Sequence, residues 1–160
     1  MSEPGGQAES SGLLLDAMLG RLTRWLRLMG YDAAYLADTD DLALVVLARA
    51  ESRIILTRDR GLAGRRGIRS ILIESQQLDE QIAQVRAEIG PPPDPVIPRC
   101  GACNTPLEPL DRNAALGRVP PYIWRSHSLF THCTGCHRVF WPGTHWQAIQ
   151  RHISGDELSR

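Results

Sequence analysis

The residues with the most specific chemical spacing in this chain are four cysteines in two Cys-x₂-Cys pairs. Two such pairs can present four thiolates to a tetrahedral Zn²⁺. Residues 104–132 separate them, a gap longer than the commonest zinc pattern, which leaves room for an inserted hairpin or loop. The flanking His132 and His137 are substitute ligands, and redox pairs are the alternative, disfavoured because neither pair opens a predicted helix. The sequence thus predicts a structural zinc held by Cys100, Cys103, Cys133 and Cys136.

Aspartates form the second group. Asp16 and Asp59 each follow a short apolar run, and Asp40 and Asp41 follow a third. Carboxylates suit Mg²⁺ or Mn²⁺, and two such ions can activate water and stabilise the leaving oxygen of a phosphodiester. Each acid also has an ordinary explanation as a helix cap or a turn residue. A receiver-like phospho-acceptor domain clusters acids in the same way, so the pattern alone leaves the chemistry open.

Arginines surround these acids in the sequence and are candidates to hold a nucleic-acid backbone. All 18 basic residues are arginine, but the formal net charge is zero. A GC-rich genome is the favoured explanation of an all-arginine composition. The nucleic-acid interpretation therefore rests on local placement. The candidates for substrate binding are Arg21, Arg24, Arg58 and Arg60, with Arg65 and Arg66 in a basic, glycine-rich loop over Gly61–Gly67.

The elements that must position these residues alternate between strands and helices. Strands are predicted at 12–16, 31–36, 53–57 and 68–73, with helices at 17–29, 38–51 and 79–89. This order predicts an α/β fold with a central parallel sheet, in which right-handed crossovers bring successive strand ends to one edge. Neither a GxGxxG nor a GxxxxGK[ST] motif follows the first strand, which argues against dinucleotide and P-loop sites.

The organisation along the chain separates two kinds of chemistry. All cysteines and histidines follow residue 99, and the proline-rich stretch 91–98 separates them from the acids. We predict a disordered tail at 1–11, a nuclease domain at 12–90, a linker at 91–98, a zinc ribbon at 99–152 and a tail at 153–160. No run of about 18 to 20 apolar residues indicates a membrane span, and the polar N-terminus does not resemble a signal peptide. A cytoplasmic location is therefore expected.

With both groups in view, the chain resembles the Mut-seven C-terminal RNase domain family, a PIN-like RNase domain fused to a zinc ribbon. The resemblance covers residues 12–150 in order. In the first part it rests on 15–22 (LDAMLGRL), 25–27 (WLR), 30–32 (GYD), Asp41-Leu42 with Ala48, and 55–62 (ILTRDRGL). In the second part it rests on Arg99-Cys100, Cys103-Asn104, 120–122 (PPY), 133–136 (CTGC) and 141–146 (WPGTHW).

The resemblance implies a PIN-like three-layer fold and a metal-dependent ribonuclease activity. It implies that Asp16, Asp41 and Asp59 bind the catalytic Mg²⁺ or Mn²⁺, with Asp41 preferred to Asp40 because its spacing to Ala48 fits the family. PIN domains often add a fourth acid near the next strand end, where Glu74 is the candidate in this sequence.

We therefore predict a ribonuclease that acts on single-stranded or structured cellular RNA, with a zinc ribbon that helps to hold it. The aromatic residues of the ribbon either stack on bases or build its core, and the core is favoured. Two alternatives remain open. One is a non-catalytic RNA- or protein-binding module with a vestigial acidic site, and the other is a toxin-like PIN RNase.

Overall fold

A four-stranded parallel sheet lies at the centre of the first half of the chain. The computed structural model describes residues 12–154, without the side chains of Thr144, His145 and Ser154. The sheet has the order β2-β1-β3-β4, so β1 and β3 are its inner strands. Both are fully buried, which explains why their sequences are continuous apolar runs. The strands are Leu13–Leu15 (β1), Ala33–Tyr35 (β2), Ile54–Thr57 (β3) and Ser70–Leu72 (β4).

Helices cover both faces of this sheet and confirm the predicted three-layer α/β fold. Leu13 and Leu15 point into one core with the first and fourth helices, whereas Leu14 and Ile55 point into another with the second and third. The predicted loop over residues 61–67 begins with a one-turn helix, since Asp59 caps it. The helices are Gly20–Leu28 (α1), preceded by a 3₁₀ turn at Ala17–Leu19, then Asp41–Glu51 (α2), Arg60–Ala63 (α3) and Leu78–Ile89 (α4).

The cysteine-bearing part contains a small antiparallel sheet, in the order β5-β6-β7. The segment between the two cysteine pairs contains the antiparallel strands β5 and β6, and two short helices connect them. A small apolar core forms around Phe130, and Trp124 and Trp141 pack against it, in agreement with the favoured interpretation, whereas Tyr122 is exposed. The elements are Leu107–Leu110 (β5), Arg112–Ala115 (α5), Pro121–Ser126 (α6), Phe130–Cys133 (β6) and Val139–Phe140 (β7).

The last described helix, Thr144–Ser154 (α7), returns to the first half of the chain. Ile149 is buried in the core shared with α1 and α4, and Trp146 and Ile153 pack against it. The Arg86 guanidinium donates to the carbonyls of His152 and Ile153 at 2.7 and 2.8 Å. Residue 153, the first of the predicted C-terminal tail, thus packs against the first core, and the predicted domain boundaries stay predictions.

Parts of the sequence prediction lie outside the described residues. These are the predicted tail at 1–11 and residues 155–160 of the second tail. Within residues 12–154, no helix combines the length and apolarity needed to cross a membrane.

Candidate active site and metal centre

Asp16 lies at the carboxyl end of β1, where it is held by two hydrogen bonds. Its Oδ2 accepts from the hydroxyl of Thr57 at 2.5 Å, and its Oδ1 accepts from the backbone N–H of Met18 at 3.1 Å. The residue is only 8% exposed. In the order β2-β1-β3-β4, the strand order reverses between β1 and β3. The carboxyl ends of these two strands are therefore the position where open α/β sheets bind ligands.

Asp59 lies at the same edge, two residues beyond the end of β3. Its Oδ1 accepts from the N–H groups of Gly61 and Leu62 at 2.7 and 3.3 Å, so it is the N-cap of α3. Its own N–H donates to Thr57 Oγ1 at 3.0 Å. Among the described residues, Oδ2 of this exposed carboxylate has no hydrogen-bond partner, so it can bind a ligand.

Thr57 connects the two acids and is a site residue that the sequence analysis missed. Its hydroxyl donates to the Asp16 carboxylate and accepts from the Asp59 backbone, while the residue itself is fully buried. The register places Leu15 opposite Leu56, so the residues that follow in each strand are neighbours. The only sequence signal was a hydroxyl at the end of the apolar run Ile54–Leu56.

The other candidate acids have different surroundings at the same edge. Asp41 occupies the first turn of α2 and is half-buried, whereas the neighbouring Asp40 is the helix N-cap and accepts from Ala43 N–H at 2.8 Å. The ordinary explanation considered for Asp40 therefore holds in the structure. Glu74 is exposed two residues beyond β4, and its backbone N–H donates to Gln84 Oε1 at 3.2 Å.

The candidate arginines have three kinds of surroundings. Arg21 and Arg60 are exposed at the first turns of α1 and α3, near the carboxyl edge. Arg58 is half-buried, and its Nη1 donates to the carbonyl of Ser75, which fixes it between two loops. Arg24 packs against the cysteine-bearing part, since its Cγ would lie 3.0 Å from a Cβ at Gly101.

The four cysteine sulfurs converge as the sequence predicts. All four lie within 4.8 Å of one another, and Cys103 and Cys133 approach to 3.2 Å. A tetrahedral Zn²⁺ with Zn–S bonds of about 2.3 Å requires sulfur separations of roughly 3.8 Å, so the donor set and its spacing fit the ion. Among the described residues, this is the one group of three or more Cys, His, Asp or Glu side chains gathered closely enough to share an ion.

Two of these thiols have different pKa values in the metal-free chain. Burial raises the pKa of Cys100 to about 12. The hydroxyl and the backbone N–H of Thr105 stabilise the Cys103 thiolate and lower its pKa to about 6. Because Zn²⁺ binds thiolates, Cys103 is the more readily ionised ligand of these two, and Cys100 would gain more than Cys103 from the charge of the ion.

The first cysteine pair docks on the first half of the chain, at the edge of the sheet opposite the acids. The Arg27 guanidinium donates to Ala33 O at 2.7 Å and to Gly101 O at 2.9 Å. Asn104 Oδ1 accepts from Ala33 N–H at 3.1 Å, and Asn104 Nδ2 donates to Asp32 Oδ1 at 2.7 Å. Since Asp32 and Ala33 lie at the start of β2, the docking surface is at the amino edge of the sheet.

Asp32 is the centre of this docking network. It forms an ion pair with Arg53 at 2.9 Å and lies 3.9 Å from Arg99. Burial opposes its ionisation, but the hydrogen bonds from Arg53 and Asn104 outweigh burial and lower its pKa. The sequence analysis quoted Asp32 only within a family motif and gave neither Asp32 nor Arg53 a role, because no local pattern relates them to a cysteine pair about 50 to 70 residues away.

Comparison with known proteins identifies the chain by family. No curated protein and no solved structure matches it at a significant level. The family model described as the Mut7-C RNAse domain matches residues 11–153, nearly the whole chain. This match confirms the resemblance on which the sequence analysis relied, and it includes both the acidic edge and the four-cysteine cluster. The chain belongs to the Mut7-C RNase domain family.

Proposed function

We propose that this protein is a metal-dependent ribonuclease whose acidic site lies at the carboxyl edge of the parallel sheet. The observation that carries the proposal is the Thr57 hydroxyl, which joins Asp16 and the backbone of Asp59 across the two central strands. A buried carboxylate with fixed orientation beside an exposed carboxylate with a free oxygen suits a site that holds an ion and still admits a substrate. Family membership supports a ribonuclease-like activity.

Each side chain has a distinct role in this proposal. Asp16 is the rigid ligand, because Thr57 and Met18 hold its two oxygens, and each oxygen retains a further lone pair. Asp59 offers its unpartnered Oδ2, and Asp41 offers a carboxylate from the start of α2. Bound Mg²⁺ or Mn²⁺ would supply activation of a water and stabilisation of the leaving oxygen.

Arginines at the same edge are proposed to hold the RNA backbone. Arg21 and Arg60 are exposed there, and Arg58 is fixed by its bond to Ser75 O, so a phosphate would meet a preoriented guanidinium. Arg24 packs on the first cysteine pair and is proposed to bind RNA between the acidic edge and the zinc ribbon. The four free thiols suit a reducing compartment, and we infer a cytoplasmic location.

The decisive experiment is Asp59→Asn, assayed as Mn²⁺-dependent cleavage of a mixed RNA pool with the fragment ends sequenced. Asparagine can still cap α3, so the fold should persist while a charged ligand is lost. We expect turnover to fall by at least about a hundredfold, because a metal ligand contributes several kcal/mol to the transition state. Zinc content should not change.

A matched control is available in the ribbon. Asp111 caps the equally short helix α5, with its carboxylate accepting from Asn113 N–H at 2.9 Å. Asp111→Asn therefore makes the same chemical change at the same kind of cap, and it should leave cleavage intact. Equal turnover of wild-type protein and Asp59→Asn, from preparations free of contaminating RNase, would reject the proposal.

One observation favours a second candidate, a non-catalytic RNA-binding module. Among the described residues, the carboxylates are not gathered as closely as the cysteine sulfurs. Retention of RNA with no Mn²⁺-dependent cleavage of any RNA in the pool would support this candidate over the ribonuclease.

A further inference from the structure

We propose a second phosphate-binding site in a cavity at the amino edge of the sheet, opposite the acidic site. The proposal rests on the ribonuclease function, since it assigns the cavity to a phosphate of the bound RNA outside the cleavage position. The cavity has a volume of about 350 Å³ and lies where α2 ends, β3 begins and the loop before β4 passes over them. Three arginines line it and no acidic residue does: Arg49, Arg53 and Arg69.

The charges around this cavity are only partly balanced. Arg53 is compensated, because its Nη1 lies 2.9 Å from Asp32 and its Nε lies 2.5 Å from Glu51. Within residues 12–154, Arg49 and Arg69 have no carboxylate within 4.0 Å. Arg49 and Arg69 therefore both line this cavity without a carboxylate partner, and a bound anion would offset their positive charge.

The loop before β4 holds one of these guanidiniums in place. Arg49 Nη2 donates to the carbonyl of Arg66 at 3.3 Å. Gly67 has a φ of +81°, a conformation that favours glycine, and a Cβ there would lie 2.8 Å from the same Nη2, so the loop passes close to this guanidinium. Arg49 also offsets the negative end of α2. That role requires one cation, whereas this cavity has three.

The chemistry that fits is a phosphoryl group. Planar guanidiniums bind phosphate oxygens in pairs of parallel hydrogen bonds, and Ser52 adds a hydroxyl to the lining. Arg53 is joined through Asp32 to Asn104 of the zinc ribbon, so this cavity is continuous with the ribbon docking surface. β3 separates the two edges by about 13 Å, at 3.3 Å for each of its residues. An RNA strand that leaves the acidic edge thus finds a cationic site on the same domain.

The test uses the full zinc-loaded chain and the double variant Arg49→Gln/Arg69→Gln. Binding of a fluorescein-labelled mixed-sequence single-stranded RNA is measured without Mg²⁺ or Mn²⁺ over a range of salt concentrations. We expect affinity to fall about tenfold and the slope of log affinity against log salt to fall by about 1. In parallel, inorganic phosphate is titrated while the arginine Nε–H NMR signals are followed, and those of Arg49 and Arg69 should shift.

The matched control is Arg65→Gln/Arg66→Gln, which removes the same charge from exposed side chains of the adjoining loop outside the cavity. An equal loss of affinity in this control would mean that loop charge, not the cavity, binds RNA, and would overturn the proposal. Phosphate-induced shifts with unchanged RNA affinity would keep the phosphate site but assign it to a free phosphate or nucleotide. Absence of both effects rejects the site. Failure of the ribonuclease proposal is detected separately, by cleavage in Asp59→Asn.

Discussion

The four-cysteine cluster and the acidic edge are two candidate metal centres that differ in how closely the fold gathers their ligand atoms. In the cluster, all ligand atoms lie within 4.8 Å of one another. At the acidic edge, Asp16 and Asp59 each bind local backbone N–H groups and meet only through Thr57. The cluster thus gathers its donor atoms around one point, whereas each carboxylate of the acidic edge is held by its own local backbone.

The two centres should depend on metal in different ways. A closed set of four thiolates leaves no position for a substrate, so its ion contributes folding free energy. The acids are instead satisfied by helix caps and a threonine hydroxyl, so their part of the fold does not need an ion. Removal of metal should therefore affect the two centres differently. We expect the part around the cysteines to lose structure and the acidic edge to lose activity.

The largest expected effect follows from breaking the cluster with Cys133→Ser. Cys133 is fully buried and contacts Cys103, so its loss removes a ligand from the centre of the site. Structural zinc sites contribute about 10–16 kcal/mol of apparent binding free energy. We expect the ribbon to lose its zinc and unfold, as measured by metal analysis and thermal denaturation. A variant that keeps one zinc per chain and the wild-type melting temperature would contradict the structural role.

Asp59→Asn is the reciprocal control for this prediction. It should retain zinc and the melting temperature while cleavage is lost. If Asp59→Asn also released zinc, the separation between the two centres would be wrong.

The next effect concerns Thr57, the residue that links the acids. Thr57→Val keeps the shape but leaves the buried Asp16 carboxylate without its hydroxyl donor, at a cost of about 1–3 kcal/mol in the free energy of unfolding. Residues that orient a metal ligand typically change affinity or activity by about 10- to 100-fold, and we expect cleavage to fall by that amount. Thr57→Ser should restore much of both quantities. The measurements are urea unfolding and Mn²⁺-dependent turnover.

Thr23 is the matched control for Thr57. It is also a buried threonine, and its hydroxyl donates to Leu19 O at 2.8 Å, in the 3₁₀ turn that precedes α1. Thr23→Val should lower stability modestly and leave turnover unchanged. A similar loss of turnover in both variants would mean that Thr57 acts through general stability rather than by holding Asp16.

The two centres also differ in how far the sequence predicts them. The cysteine spacing and the apolar runs of β1 and β3 are local patterns, so the cluster, the strands and the edge reached by Asp16 and Asp59 were predictable. The bridge through Thr57 was not, because it depends on the register of β1 against β3. Long-range contacts of this kind leave no period or spacing in the sequence.

Arg27 illustrates the same limit. With Arg21 and Arg24 it forms a stripe at helical spacing, which indicates a solvent-exposed face. In the structure it is only 7% exposed, and its guanidinium binds Ala33 O and Gly101 O. Burial lowers its pKa, although the nearby Cys100, Cys103 and Asp32 oppose that shift. A helical period identifies the residues that share a face, but only the tertiary structure determines what covers that face.

The smallest expected effect tests the connection between the two regions, through Asp32→Asn. The substitution replaces the Asp32 carboxylate by a neutral amide. This carboxylate forms the ion pair with Arg53 and accepts a hydrogen bond from Asn104. Because 35% of the Asp32 side chain is exposed, we expect the free energy of unfolding at pH 7 to fall by only about 1 kcal/mol. The folded-state pKa of Asp32 is lowered, so its stabilisation is complete above the unfolded pKa of about 3.9 and disappears as pH falls through the folded value.

Urea unfolding of wild-type protein and Asp32→Asn from pH 7 to pH 3 measures this dependence. The two stabilities should converge at the acid end, and zinc release at low pH is common to both chains, so their difference isolates Asp32. Glu108→Gln is the control, since Glu108 is exposed on β5 and forms no ion pair among the described residues. This control should follow the wild type throughout. A constant deficit of Asp32→Asn at every pH would instead attribute the loss to packing, and the charge of Asp32 would then have no part in docking the ribbon.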